Sequence, residues 1–120
     1  MHADANRDIV LSDFEEMRVI TLLGEWDVSN RDRLREAFLS LGTERDVVVD
    51  LRDASFFDST ALAELIALYK RIAEGGRRLE ALVGDSNMRR LLELTSLDAL
   101  FGVSAQRAKY LREHLPSRTQ

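Results

Sequence analysis

The chain has 120 residues, no cysteine, two histidines, one proline and a net charge of −4. A chain of this length buries roughly 65% of its unfolded surface, enough for one core, and without cysteine it has no disulfide, thiol nucleophile or cysteine-ligated metal. The acidic balance argues against a nucleic-acid partner, which needs a basic face, and no run approaches the about 18 apolar residues that span a bilayer.

Met1 to Asp8 are polar and carry no signal-peptide core, so a cytoplasmic protein is expected. Ile9 to Phe14 predicts a first strand and Glu15-Glu16 a turn. Arg18 to Leu23 is β-branched and apolar and predicts a second strand, ended by Gly24. Glu25-Trp26-Asp27-Val28 then reads as a loop, in which the only tryptophan is either buried at the sheet edge or a contact anchor. Ser29 or Asn30 can cap a helix that places Leu34, Ala37, Phe38 and Leu41 at helical spacing, and Gly42 stops it.

Asp46 to Leu51 contains three consecutive valines and predicts a strand buried on both faces. Ser55-Phe56-Phe57 and Asp58-Ser59-Thr60 lead into a helix that runs to about Glu74. Its apolar stripe is Leu62, Leu65, Ile66, Tyr69, Ile72 and Ala73, with Glu64, Lys70, Arg71 and Glu74 facing water and Leu68 off the stripe. Arg78 to Val83 predicts the next strand, and Gly84-Asp85-Ser86 turns into a short helix carrying Met88, Leu91, Leu92 and Thr95. Leu100 to Val103 predicts a last strand, and Ser104 caps a final helix with Ala108, Leu111 and Leu115 inward. The order β-β-α-β-α-β-α-β-α predicts an α/β layer structure with parallel pairing through its middle. One domain over 1–120 is expected, with its core at about 8–115 and frayed ends.

Few residues are placed for catalysis. Both histidines, His2 and His114, lie near the chain ends, so Ser59 has no evident base, and Phe57-Asp58-Ser59-Thr60-Ala61 is not a nucleophile elbow. No phosphate-cradling glycine loop occurs, so no nucleotide or other cofactor is expected. Asp27, Asp50, Asp53 and Asp58 fall near strand ends, where aspartates can gather around Mg²⁺ for phosphoryl transfer; turn and capping roles explain Asp27, Asp53 and Asp58 without metal. The basic clusters Arg31/Arg33/Arg35, Lys70/Arg71 with Arg77/Arg78, and Arg89/Arg90 are diluted by acids and read as solvated helix faces.

Ser59 stands at a strand-to-helix junction, where the helix terminus tolerates a phosphate. The plain role is an N-cap worth about 1 kcal/mol. Asp58 can fill that role equally well, so the run of capping residues exceeds what one cap requires.

Val47-Val48-Val49-Asp50-Leu51, Phe56-Phe57-Asp58-Ser59-Thr60-Ala61-Leu62, Tyr69-Lys70-Arg71 and Gly75-Gly76 together resemble a STAS domain of the bacterial anti-sigma factor antagonist type. Gly24-Glu25-Trp26-Asp27 is similar to an earlier loop of that family, and Leu91 to Leu97 to a later helix and turn, so the resemblance spans about residues 8–115. It implies an α/β domain with a mixed sheet of about four to five strands packed by about four helices. It also implies a non-enzymatic binding module. The unmodified antagonist binds an anti-sigma factor that is a serine kinase and so frees a sigma factor; phosphorylation ends the complex, and a PP2C-type phosphatase resets it. By this resemblance Ser59 is the phosphoacceptor, Asp58 the adjacent acid and Thr60 the second hydroxyl position, and Asp27 belongs to the partner surface. Ala61 stands where the family usually has a glycine, which bears on how closely a partner's backbone can approach. The alternative is a STAS scaffold, in a lipid-transport or stress-signalling assembly, that is not phosphorylated at Ser59.

Overall fold

Alternating apolar residues build the middle of the sheet. In the computed structural model, which describes residues 7–84, 87–97 and 105–116, strand β1 (Arg7–Phe14) turns at Glu15, whose φ is +57°, into β2 (Met17–Trp26). These two strands pair antiparallel in register from Arg7 opposite Gly24 to Phe14 opposite Met17. A 3₁₀ turn (Val28–Asn30) opens helix α1 (Arg31–Ser40), and β3 (Val47–Asp50) follows. After β4 (Ala54–Phe57) come α2 (Ser59–Glu74), β5 (Leu79–Leu82), α3 (Asn87–Leu94) and α4 (Ala105–His114). The result is a mixed five-stranded sheet with four helices among the described residues.

The topology turns on β2. It pairs in parallel with β3 along Arg18–Thr21 and then, past a register shift at Gly24/Glu25, in parallel with β4 along Glu25–Trp26. Strand β5 pairs in parallel with β3 on the far side. Period-2 alternation sends Ile20, Leu22, Val47, Val49, Leu79 and Ala81 to one face, where Leu34 and Phe38 of α1, Leu65, Leu68 and Ile72 of α2, and Met88 and Leu92 of α3 cover them. Val19, Val48 and Leu82 point to the other face, under Ala108 and Leu111 of α4 and the Leu115 that follows it. Each fully buried leucine or isoleucine in these layers contributes about 1.5–3 kcal/mol.

The α/β class, the parallel centre and the inward residues of α1 and α4 agree with the sequence reading. Several details differ. Strand β2 does not stop at Gly24: φ of +87° lets this glycine carry the strand through the bulge, so Trp26 ends a strand and is fully buried. Ala54–Phe57 is a strand that the sequence reading left unassigned. Leu68 is fully buried, whereas Ala73 is exposed, so the stripe of α2 is rotated from the predicted one. Glu64 does not face water: it is buried and takes a forked contact from Arg35 of α1, with Nη2 at 2.7 Å and Nε at 3.1 Å from Oε2. That bond and the associated charge hold the Arg35 guanidinium above its usual range. The predicted Asp85-Ser86 turn, the Leu100–Val103 strand and the Ser104 cap lie outside the described residues.

Below the sheet centre, Asp50 ends β3 with a side chain only 4% exposed. Its carboxylate accepts from Arg52 Nε at 3.0 Å, Arg52 Nη2 at 2.8 Å and the Arg52 amide at 3.1 Å. The same Nη2 donates to the carbonyls of Leu115 at 3.1 Å and Pro116 at 3.0 Å. One guanidinium therefore joins the end of β3 to the end of α4. The hydrogen bond that Arg52 donates to Asp50 raises the pKa of Arg52 against the opposing effect of burial.

Candidate functional site

Two parallel connections meet at one corner, after β2 and after β4. The main chain fastens them first, the Asp58 amide donating to the Trp26 carbonyl at 3.1 Å. Asp58, extended at φ −88° and ψ −177°, is the N-cap of α2. Its Oδ1 accepts from the Ala61 amide at 2.9 Å, and its Oδ2 accepts from the Val28 amide at 3.1 Å. One carboxylate thus caps the helix and pins the neighbouring loop. This is the geometry expected of an N-cap acid at the positive end of a helix.

Asp27 fastens the other half. Its Oδ1 accepts from the Ser29 amide at 2.9 Å, and its own amide donates to Asn30 Oδ1 at 2.8 Å, a reciprocal capping box. Asn30 Nδ2 then donates to the Glu25 carbonyl at 3.1 Å. The sequence predicted that Ser29 or Asn30 caps α1, but neither does so by a side-chain bond; both serve the turn before it.

Ser59 is therefore not the cap. It is the first residue of α2, is exposed, and its hydroxyl makes no hydrogen bond among the described residues. Thr60 beside it is half-buried. Ala61 is fully buried within the main core, so its methyl points away from any approaching surface. Val28, 67% exposed, stands on the Asp58-pinned loop next to Ser59. Trp26 lies beneath as core, with Arg33 5.6 Å above its ring, so it offers no contact surface.

The four aspartates do not form a common site. Asp27 and Asp58 are caps, and Asp50 is held by Arg52. Among the described residues, no three His, Cys, Asp or Glu side chains are grouped to hold a metal ion. No described helix is long and apolar enough to cross a membrane.

Comparison with known proteins agrees with this architecture. The family model described as "Mlab, STAS domain" matches residues 11–103. The chain belongs to the STAS domain family. It is 28% identical over 88 residues to an anti-sigma-B factor antagonist of Bacillus subtilis, covering 72% of this chain and 81% of the relative. Among solved structures, an anti-sigma factor antagonist from Mycobacterium paratuberculosis superposes with a TM-score of 0.73 at 22% identity, over 86% of this chain and 91% of the other. The Bacillus cell fate determinant SpoIIAA in its phosphorylated form gives a TM-score of 0.62 at 18% identity, over 89% of this chain and all of the other. Within the STAS family, the chain's resemblance is to the anti-sigma factor antagonists.

The cap assignment makes a measurable difference. Asp58→Ala removes one cap and frees one exposed loop amide, so it is expected to cost about 1–2 kcal/mol, while Asp58→Asn keeps most of the cap. Urea denaturation of the two variants checks this; equal stability of Asp58→Ala and wild type would remove the cap role.

Proposed function

We propose that this STAS domain is an anti-sigma factor antagonist controlled at Ser59. In its unphosphorylated form it binds an anti-sigma factor with serine kinase activity, which releases the sigma factor. Phosphorylation of Ser59 ends the interaction, and a PP2C-type phosphatase restores it. The contact surface is the corner of Asp27, Asp58, Ser59 and Thr60, with Ala61 setting the backbone beneath it. The protein acts in the cytoplasm by binding, without catalysis or a cofactor of its own.

The observation that carries this reading is the division of roles at the corner. Asp58 takes the cap, and the Ser59 hydroxyl stands exposed at the helix N-terminus with no hydrogen bond among the described residues. A phosphoryl group there adds a charge of about −1.5 to −2 at a terminus that favours anions. The buried methyl of Ala61 supports the same reading, because the usual glycine's absence leaves the outer surface unaltered.

The test is incubation with the purified anti-sigma kinase from the same genome and ATP. Wild type is expected to gain one phosphoryl group, Thr60→Ala to gain it as well, and Ser59→Ala none. Equal labelling of Ser59→Ala, or no labelling of wild type, refutes the assignment; recovery of transporter subunits by the same protein would favour the scaffold reading.

A further inference from the structure

Strand β1 forms an open edge of the sheet. It is eight residues long and, among the described residues, pairs only with β2, in an unbroken register. It contains no proline and no lysine. An exposed edge strand of this kind is a template for a further strand unless something blunts it.

The far side of β2 fixes which backbone groups of β1 face outward. The amides of Arg18 and Gly24 donate away from β1, to the carbonyls of Asp46 and Asp53, each at 3.0 Å. Backbone groups alternate in direction along a strand, so Val19, Thr21 and Leu23 serve β1 instead. Opposite these three stand Ser12, Val10 and Asp8. The amides and carbonyls of Ile9, Leu11 and Asp13 therefore line the open edge. The Ile9 amide is met there by the Asp8 carboxylate beside it, at 2.8 Å.

A second copy of the chain fits this edge in one register. An antiparallel two-fold pairing needs outward groups on both strands, which excludes every shift by an odd number of residues. Centred on Val10, the pairing sets Ile9 against the partner's Leu11, Val10 against the partner's Val10 and Asp8 against the partner's Ser12. A shift of two residues sets Ile9 against Asp13, or Val10 against Asp8, an apolar residue against a charged one each time. In the Val10 register no like charges face each other. The two acids are also neutralised within their own chain, Asp8 by Arg33 at 3.3 Å, and Asp13 by Arg18 at 3.1 Å and Arg45 at 3.2 Å. Leu11 is 43% exposed, and the pairing gives it an apolar cross-strand neighbour.

We propose that β1 is a self-pairing edge, through which two copies of this chain form an antiparallel dimer with one continuous sheet. The edge is complementary to itself under a two-fold axis, which selects a second copy as the occupant. Two such strands cover less than the about 800 Å² per partner of a standard interface, so the dimer is weak and follows protein concentration. The inference does not rest on the Ser59 reading. Ser59 follows β4, which lies along the opposite edge of β2, so each dimer carries two Ser59 corners.

The absence of cysteine makes the test clean. At the two-fold axis the two Val10 Cα atoms stand about 4.5 Å apart, the spacing of a non-hydrogen-bonded pair. That lies within the reach of a disulfide, about 4.4–6.8 Å. Two Ser12 residues, on the same face, are offset by about 14 Å along the strands and are out of reach. With oxidised glutathione, Val10→Cys is expected to form covalent dimers at least tenfold faster than Ser12→Cys. In sedimentation equilibrium without oxidant, wild type is expected to be monomeric at about 10 μM and to gain mass towards about 1 mM. Leu11→Lys is expected to raise the dimer Kd at least tenfold and to melt as wild type does. Wild type that stays monomeric at about 1 mM overturns the proposal. Equal bridging by Val10→Cys and Ser12→Cys overturns it too, since no fixed register would then exist. Wild-type association by Leu11→Lys places the contact on another surface, and the proposal fails. If Leu11→Lys melts lower, the bridging comparison still decides.

Discussion

Phosphorylated protein, or the Ser59→Glu variant in its place, is expected to bind the anti-sigma kinase about 100-fold more weakly than the unmodified chain while melting no lower. The two halves of this result have different causes. A doubly charged group placed at the first residue of α2 lies in the field of the helix N-terminus, which stabilises anions by about 0.3–1 kcal/mol at an exposed site. Asp58 stands next to it, but its carboxylate is committed to the amides of Ala61 and Val28, so the repulsion is offset by bonds already in place. The fold should therefore hold.

The partner experiences the same charge differently. Burying it against a docked protein removes its water, and an unfavourable charge juxtaposition across an interface costs several kcal/mol. A loss of about 2.7 kcal/mol is already 100-fold in affinity. Calorimetric titration of the unmodified and phosphorylated forms, paired with thermal melts, separates the two halves. A lowered melting temperature with unchanged affinity would show that phosphate acts by loosening the domain, contrary to the proposed mechanism.

The largest stability effect is expected far from that corner. Arg52→Met leaves the Asp50 carboxylate, 4% exposed, without its counter-ion. Breaking a buried pair in this way costs about 3–5 kcal/mol, because the remaining charge stays out of water. It also leaves the carbonyls of Leu115 and Pro116 without their donor, so α4 should detach more readily from the end of β3. The double variant Asp50→Val/Arg52→Met is expected to recover most of the loss, since an apolar pair of similar volume needs no partner. Urea denaturation decides it; a single variant within 1 kcal/mol of wild type would contradict the assigned role.

The parts legible in the sequence were those governed by local pattern. Leu34 and Phe38 in α1, Leu65 and Ile72 in α2, and Leu111 in α4 show helical spacing and are all buried. The valines of β3 read as doubly buried and are so. What escaped depends on contacts distant in sequence. Strand β4 is four residues long and follows β3 after three residues, with no helix between, as parallel neighbours ordinarily require. It exists because β2 is long enough to pair β3 and β4 one after the other along one edge. Trp26 read as loop because Gly24 looks like a strand end; only the bulge reveals otherwise. Glu64 read as a surface charge because its counter-ion, Arg35, comes from another helix. At the candidate site, the helix start at Asp58-Ser59 was legible, but the choice of cap was not. Either side chain can cap, and the structure assigns the role to Asp58 because the same carboxylate also reaches Val28.

That doubly bonded carboxylate has a consequence for how such a corner can diverge. The acids that hold the backbone in place are separate from the side chains turned outward. Val28, Ser59 and Phe56 are exposed, so substitutions there change the outer surface at little risk to folding. Duplicated copies of a gene built on this frame can acquire new partners one side chain at a time, each remaining a folded domain throughout.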